Sequence, residues 1–317
     1  MKTAWRWVSR LIAAGLAAYV LWFALRHLQL DSLAHAFERP AVPVALVFAS
    51  LAYCLIYPLA GWAWQRLLRR QGVNERAWVL TRIIALTQLA KYVPGNIAQH
   101  ASRAALSLKQ GIAWTPYLAT AWQEALLSVS ASLLVGGGMA ALSPLGWAGL
   151  PPQLGLFACV VAGATLLACL NWPARRMETS QSPLIKWLRK LGRPPGTATA
   201  LMAITTYAVN YLAVGAGIWV LAAALGLAET VTFPLATAAF AFSWALGFLA
   251  PGAPAGLGAR EGMMLLVLQG HGRSEDLLLL VLLTRVATLA GDLLSFLLAW
   301  WLPAASRMAA QNHPNGE

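Results

Sequence analysis

FAFSWALGFLAPGAPAGLGAREGMMLL, residues Phe240 to Leu266, is an uncharged apolar run that breaks into a Gly/Pro-rich turn and restarts with the adjacent pair Arg260 and Glu261. Upstream, Ile84 to Leu106 reads IALTQLAKYVPGNIAQHASRAAL, again an apolar segment carried into Pro-Gly and then a helical pattern with basic residues. Pro94 removes a backbone donor and clashes with the turn before it, and Gly95 lets the chain bend sharply. Irregular backbone survives at membrane depth only where it is buried in protein or lines a wet cavity. Two broken apolar segments among ordinary spans therefore predict a membrane protein whose site lies at the breaks.

Composition supports this class. Of 317 residues, 59% are hydrophobic and 11% charged, against roughly 25% charged in an average soluble domain. The net charge of +12 sits largely in short connectors, as the positive-inside rule expects, rather than on one face of a soluble domain, so nucleic acid is not the expected partner. Cys54, Cys159 and Cys169 lie in apolar runs without paired spacing and read as small buried hydrophobes; neither a disulfide, a metal site nor a cofactor is expected. The 15 Trp residues read mostly as anchors at the two membrane interfaces.

The expected fold is all-α: a polytopic integral membrane bundle of about seven transmembrane helices plus two re-entrant or broken helices at the Pro-Gly turns. Spans are predicted near Trp7–Leu28, Ala41–Trp64, Pro116–Leu142, Leu154–Trp172, Thr197–Ala228, Thr232–Leu249 and Leu277–Leu302. Bulky Trp22, Phe23 and Arg26 stand where a leader's cleavage site would need small residues, so the first span reads as uncleaved. Arg66, Arg69, Arg70 and Arg76, and then the loop Arg175 to Arg193, mark the cytoplasmic side and place the N-terminus inside. Between Ala77 and Ser107, two short helices about Pro94 and Gly95, the second capped by Asn96, predict a hairpin; one kinked span over residues 80–108 is the alternative. The halves share this plan, which suggests inverted-repeat-like organisation. Residues 1–305 are expected to form a single transmembrane domain and 306–317 a short polar tail.

An ionised group in hydrocarbon costs at least about 2.5 kcal/mol unless it is paired or wet. Lys91, His100, Arg103, Glu124, Arg260, Glu261, Arg285 and Asp292 should therefore turn inward. Asn96, Gln99, His100 and Arg103 share one helix face by their spacing, as do Arg285 and Asp292. Two readings follow. Arg285 and Asp292 pair with Glu261, Lys91 or Glu124 and hold the bundle together, while Lys91 and Arg103 reach the headgroups. Alternatively, the set binds substrate: helix starts at the breaks attract a lipid phosphate, and Arg103, Arg260 and Arg285 give it forked contacts. The turn residues Pro94, Gly95, Pro251, Gly252, Gly256 and Gly258 shape the breaks. No phosphate loop or serine nucleophile motif appears, so a transferase using Glu124 or Glu261 as base is the lesser reading, and a structural partner docked through the Arg175–Arg193 loop is another.

The run Lys91-Tyr92-Val93-Pro94-Gly95-Asn96, the run Pro251-Gly252 with Gly256-Leu257-Gly258-Ala259-Arg260-Glu261, and Leu283-Thr284-Arg285 resemble the flippase-like transmembrane domain of bacterial lysylphosphatidylglycerol synthases, over most of the chain. Asn96 to Gln99 stand where that family often has Arg and Gly-Glu. The resemblance implies a stand-alone member in the inner membrane, without the soluble synthase domain, that moves an anionic phospholipid or glycolipid between leaflets. It also implies weight at Pro94, Gly95, Pro251, Gly252, Gly258, Arg260, Glu261 and Arg285, and a glycosyltransferase or lipid-modifying enzyme as partner. Glu124, Glu261 and Asp292 are the available groups if movement is proton-coupled.

Overall fold

The computed structural model describes residues 36–93, 97–143, 155, 157–164, 192–250 and 254–301. The expected first span, most of the fourth, the basic loop up to Gly192, the tail, Cys169 and the turn residues Pro94, Gly95, Asn96, Pro251 and Gly252 lie outside the described residues. Among those described, every regular element is helical: α1 (Ala41–Cys54), α2 (Ile56–Arg70), α3 (Ala77–Gln88), a 3-10 turn (Leu89–Tyr92), α4 (Ile97–Lys109), α5 (Trp114–Ala141), α6 (Thr197–Ala224), α7 (Phe233–Leu249), a second 3-10 turn (Pro254–Gly256), α8 (Ala259–Leu268) and α9 (Ser274–Trp301). Residues 157–164 are helical as well.

Among the described residues, four helical stretches are long and apolar enough to cross a membrane: Ala41–Arg70, Trp114–Ala141, Thr197–Ala224 and Ser274–Trp301. The protein is thus an all-helical, multi-span membrane bundle. The first of these stretches is α1 and α2 joined at Leu55. Pro58 cannot donate to the carbonyl of Cys54, so the ladder is interrupted one turn earlier and resumes with Leu59 N–H on Leu55 C=O at 3.3 Å. It also runs six residues past the expected end at Trp64, carrying Arg66, Arg69 and Arg70 on the helix itself; Arg66 stacks its guanidinium over Trp62 at 5.3 Å. The helix predicted to reach Ala228 stops at Ala224, because Gly226 takes a left-handed φ of 82° and the Leu227 N–H turns back to Ala222.

The short elements are hairpin arms. At about 1.5 Å per residue, α3 and α4, of 12 and 13 residues, span roughly 18–20 Å, well short of the roughly 30 Å hydrocarbon core. Gln99 Nε2 donates to Gln88 Oε1 at 2.9 Å. Residues 11 apart on one helix, even a kinked one, would lie too far apart for this bond, so the chain folds back between them and the kinked-span alternative fails. α7 and α8, of 17 and 10 residues, fold back on each other in the same way and pack together.

α6 is the central post, packed against α1, α2, α5, α7 and α9. Small residues permit the close approaches: Gly217 of α6 lies on Ala49 of α1, and Gly291 of α9 lies so near Ser50 and Tyr53 that an added Cβ would sit 2.7 Å from the Tyr53 ring. The two hairpin tips then meet. The 3-10 turns contact each other, and Leu89 and Tyr92 from the first and Ala255 from the second form an apolar cluster with Leu289 and Phe296 of α9.

Candidate functional site

Beside the joined tips lies a cavity of about 180 Å³, bounded by α2, both hairpins, α5 and α6. Lys91, His100, Arg103, Glu124 and Arg260 of the expected set line it. A second cavity of about 30 Å³ adjoins it through Arg260 and is lined also by Glu261 and Arg285. Asp292 is fully buried behind these walls. Residues 200 apart in sequence are thereby gathered about the two breaks; Asn96 falls outside the described residues.

The charges assemble in pairs. Lys91 Nζ lies 2.6 Å from Asp292 Oδ2 and 3.3 Å from the Tyr53 hydroxyl. The same carboxylate accepts the hydroxyl of Tyr92 at 2.5 Å and that of Tyr57. One buried anion thus satisfies an ammonium and two phenols, which join the first hairpin's tip and α2 to α9. Arg103 meets Glu124 with two N–H groups, at 2.6 and 3.2 Å, and lays its guanidinium on the Trp64 ring at 4.0 Å. Such a fork fixes both direction and distance. Lys91 and Arg103 are thus held inside the protein rather than reaching the headgroups, and Trp64, fully buried, is a platform for a cation rather than an interface anchor.

The second hairpin is arranged differently. Glu261 Oε2 accepts the Gly258 N–H at 2.7 Å, capping the start of α8, while Oε1 lies 3.6 Å from Arg285 Nε. One N–H of that helix start is therefore already taken by the chain's own carboxylate. Arg260 has no ion-pair partner among the described residues, and its Nε is buried without a hydrogen bond. Its stem lies in a glycine cradle. A Cβ on Gly247 would fall 2.3 Å from Arg260 Cγ, and one on Gly256, whose φ is 72°, would fall 2.8 Å from Gly247 Cα. Gly256 and Gly258 (φ 79°) both use left-handed backbone, which explains the glycines in the turn. Ala255 adopts φ 50°, an unfavourable state for a residue with a Cβ.

The family model for the lysylphosphatidylglycerol synthase TM region matches residues 10–295. The chain belongs to that family. Family membership and the multi-span architecture together make it a lipid-handling, flippase-like membrane protein, in keeping with a bacterial inner-membrane location. No curated protein matches the chain. The matched region is a transmembrane region rather than a synthase's catalytic part, and the described residues carry no group of three or more His, Cys, Asp or Glu placed to hold a metal.

Several chamber residues escaped the sequence reading. Tyr53, Tyr57 and Tyr92 surround Asp292 and Lys91, and Tyr207, Asn210, Tyr211 and Trp244 form the far wall of the large cavity. Tyrosine is ordinary in apolar spans, and only proximity to a buried carboxylate distinguishes these. Gly247, inside a helix with no turn signal around it, was equally silent. For Asn210 a signal existed, since a lone amide in an uncharged span of 28 residues must face a partner or a wet space.

Proposed function

We propose that the protein moves a phosphate-bearing lipid between the two leaflets, receiving the headgroup in the chamber at the joined hairpin tips while the acyl tails stay in the bilayer. One observation carries this reading: among the described residues Arg260 has no carboxylate partner, whereas Lys91, Arg103 and Arg285, its neighbours about the two adjoining cavities, each have one. An uncompensated cation at membrane depth is costly unless an anion or water meets it. A lipid phosphate supplies that anion, and Arg260 with the free Nη2 of Arg285 gives it donors from two sides.

In this reading Lys91, Arg103, Glu124 and Asp292 build the chamber, and Arg260 and Arg285 hold the substrate. Glu261 orients Arg285. His100 lines the chamber wall. The architecture comprises about seven crossings, α7 among them, and two re-entrant or broken helices at the Pro-Gly turns, in one domain over residues 1–305, with the N-terminus in the cytoplasm. Substrates are phospholipids or phosphate-linked glycolipids, handed over by a lipid-modifying enzyme or glycosyltransferase.

The test is reconstitution of the purified protein in liposomes containing headgroup-labelled phosphatidylglycerol, with transbilayer movement read by chemical quenching of the outer leaflet. Movement above protein-free vesicles, reduced at least tenfold by Arg260→Ala, is expected. Equal movement with and without protein would reject the proposal.

A further inference from the structure

The described residues contain eight buried side-chain nitrogen or oxygen atoms without a hydrogen-bond partner, and five of them belong to residues lining the two adjoining cavities: Arg103 Nε, Tyr207 OH, Asn210 Oδ1, Arg260 Nε and Arg285 Nη2. Buried polar groups are normally satisfied, so this concentration points to a polar ligand. The atoms divide by position. Arg260 Nε and Arg285 Nη2 are donors at the small cavity, whose roughly 30 Å³ admits about two water-sized groups, the size of a phosphate's free oxygens. Tyr207 and Asn210, 5% and 6% exposed, face the large cavity, whose roughly 180 Å³ is six times that of the small one. Asn210 Oδ1 can only accept, and the Tyr207 hydroxyl can do either.

The carboxylates decide what else the headgroup carries. Glu124, Glu261 and Asp292 are each committed to Arg103, Arg285 and Lys91. Among the described residues, an ammonium entering the chamber would find no free carboxylate and would face Arg260. Uncharged hydroxyls, in contrast, match the unpartnered acceptor of Asn210 and the phenol of Tyr207, and a polyol's C–H faces can lie against the aromatic walls of Tyr211, Phe240 and Trp244. Resting on the lipid-moving reading above, we infer that the headgroup is a phosphodiester bearing an uncharged polyol, with one net negative charge, and that heads carrying an amine are excluded. The small cavity takes the phosphate and the large one takes the polyol.

The test uses the purified full chain in liposomes with five labelled lipids: phosphatidylglycerol, phosphatidylinositol, phosphatidic acid, phosphatidylethanolamine and lysylphosphatidylglycerol. The first two are expected to move at least tenfold faster than the two amine-bearing lipids. Asn210→Ala and Tyr207→Phe, which touch none of the ion pairs, should each lower the rate ratio of phosphatidylglycerol to phosphatidic acid by roughly fivefold, with the phosphatidic acid rate unchanged. Lysylphosphatidylglycerol moving as fast as phosphatidylglycerol would overturn the inference while leaving lipid movement intact. So would an unchanged ratio in both variants, since water alone would then be serving those atoms. If no lipid moves, the transport reading fails by itself. Native mass spectrometry of the protein with the same five lipids then decides the headgroup, amine-bearing lipids retained as well as phosphatidylglycerol counting against it.

Discussion

The two hairpins share a plan and differ in how they use charge. At the first, every ionised group near the tip is matched: Lys91 by Asp292, and Arg103 by Glu124. At the second, Glu261 is divided between the Gly258 N–H and Arg285, and Arg260 has no ion-pair partner among the described residues. On the proposed reading, the first hairpin spends its charges on assembly and the second keeps one for a ligand. Two similar chain breaks can thus carry opposite roles, and variants of the two should fail in different ways.

The largest effect is expected at the closed side. Asp292→Ala leaves Lys91 and two phenols facing an apolar void, and breaking a buried pair in this way costs about 3–5 kcal/mol. The variant should melt far below the parent in detergent, whereas Lys91→Met combined with Asp292→Leu should regain only part of the loss: the pair's own desolvation cost disappears, but the Tyr57 and Tyr92 hydroxyls stay without their acceptor. A double variant no more stable than Asp292→Ala would contradict the assignment. Next comes Arg103→Ala, which strands Glu124 and uncovers Trp64, at about 1–3 kcal/mol by thermal denaturation. Arg103→Lys should not restore it, since an ammonium cannot make the fork.

On the open side, the stability and activity readouts should separate. Gly247→Ala places a methyl where the Arg260 stem lies, so it should reduce lipid movement about as much as Arg260→Ala while lowering the melting temperature less than Asp292→Ala does. Normal transport in Gly247→Ala would show that the seat of Arg260 is irrelevant. The smallest effect belongs to Ala255→Gly. Release of the left-handed strain, worth about 1–2 kcal/mol, is largely offset by the added freedom of the unfolded chain, so a gain of at most about 1 kcal/mol is expected in the same melting assay.

Much of this was legible in the sequence. Apolar length marked the spans that the structure retains, and Pro-Gly placed the first hairpin where Gln88 and Gln99 meet. The seven-residue spacing of Arg285 and Asp292 put both on the face of α9 toward the hairpins, and the pairing of Arg285 with Glu261 and of Asp292 with Lys91 was among the combinations the charges allowed. What could not be read was which carboxylate takes which cation, because that depends on how the tips cross α9. Helix ends also shifted where a local backbone event decided them. Gly226 stopped α6 early, and Pro58 split a span whose hydropathy is continuous. The tyrosines around Asp292 and the glycine seat of Arg260 are properties of packing between distant segments, and no short window of sequence carries them.

The most direct measurement is phosphatidylglycerol binding to purified Arg260→Ala protein, read alongside the melting temperature of the same preparation. An unpaired cation reserved for a headgroup predicts parent-like melting with binding weakened roughly tenfold or more. Binding as tight as the parent's, or a melting loss as large as that of Asp292→Ala, would contradict the division of labour between the hairpins.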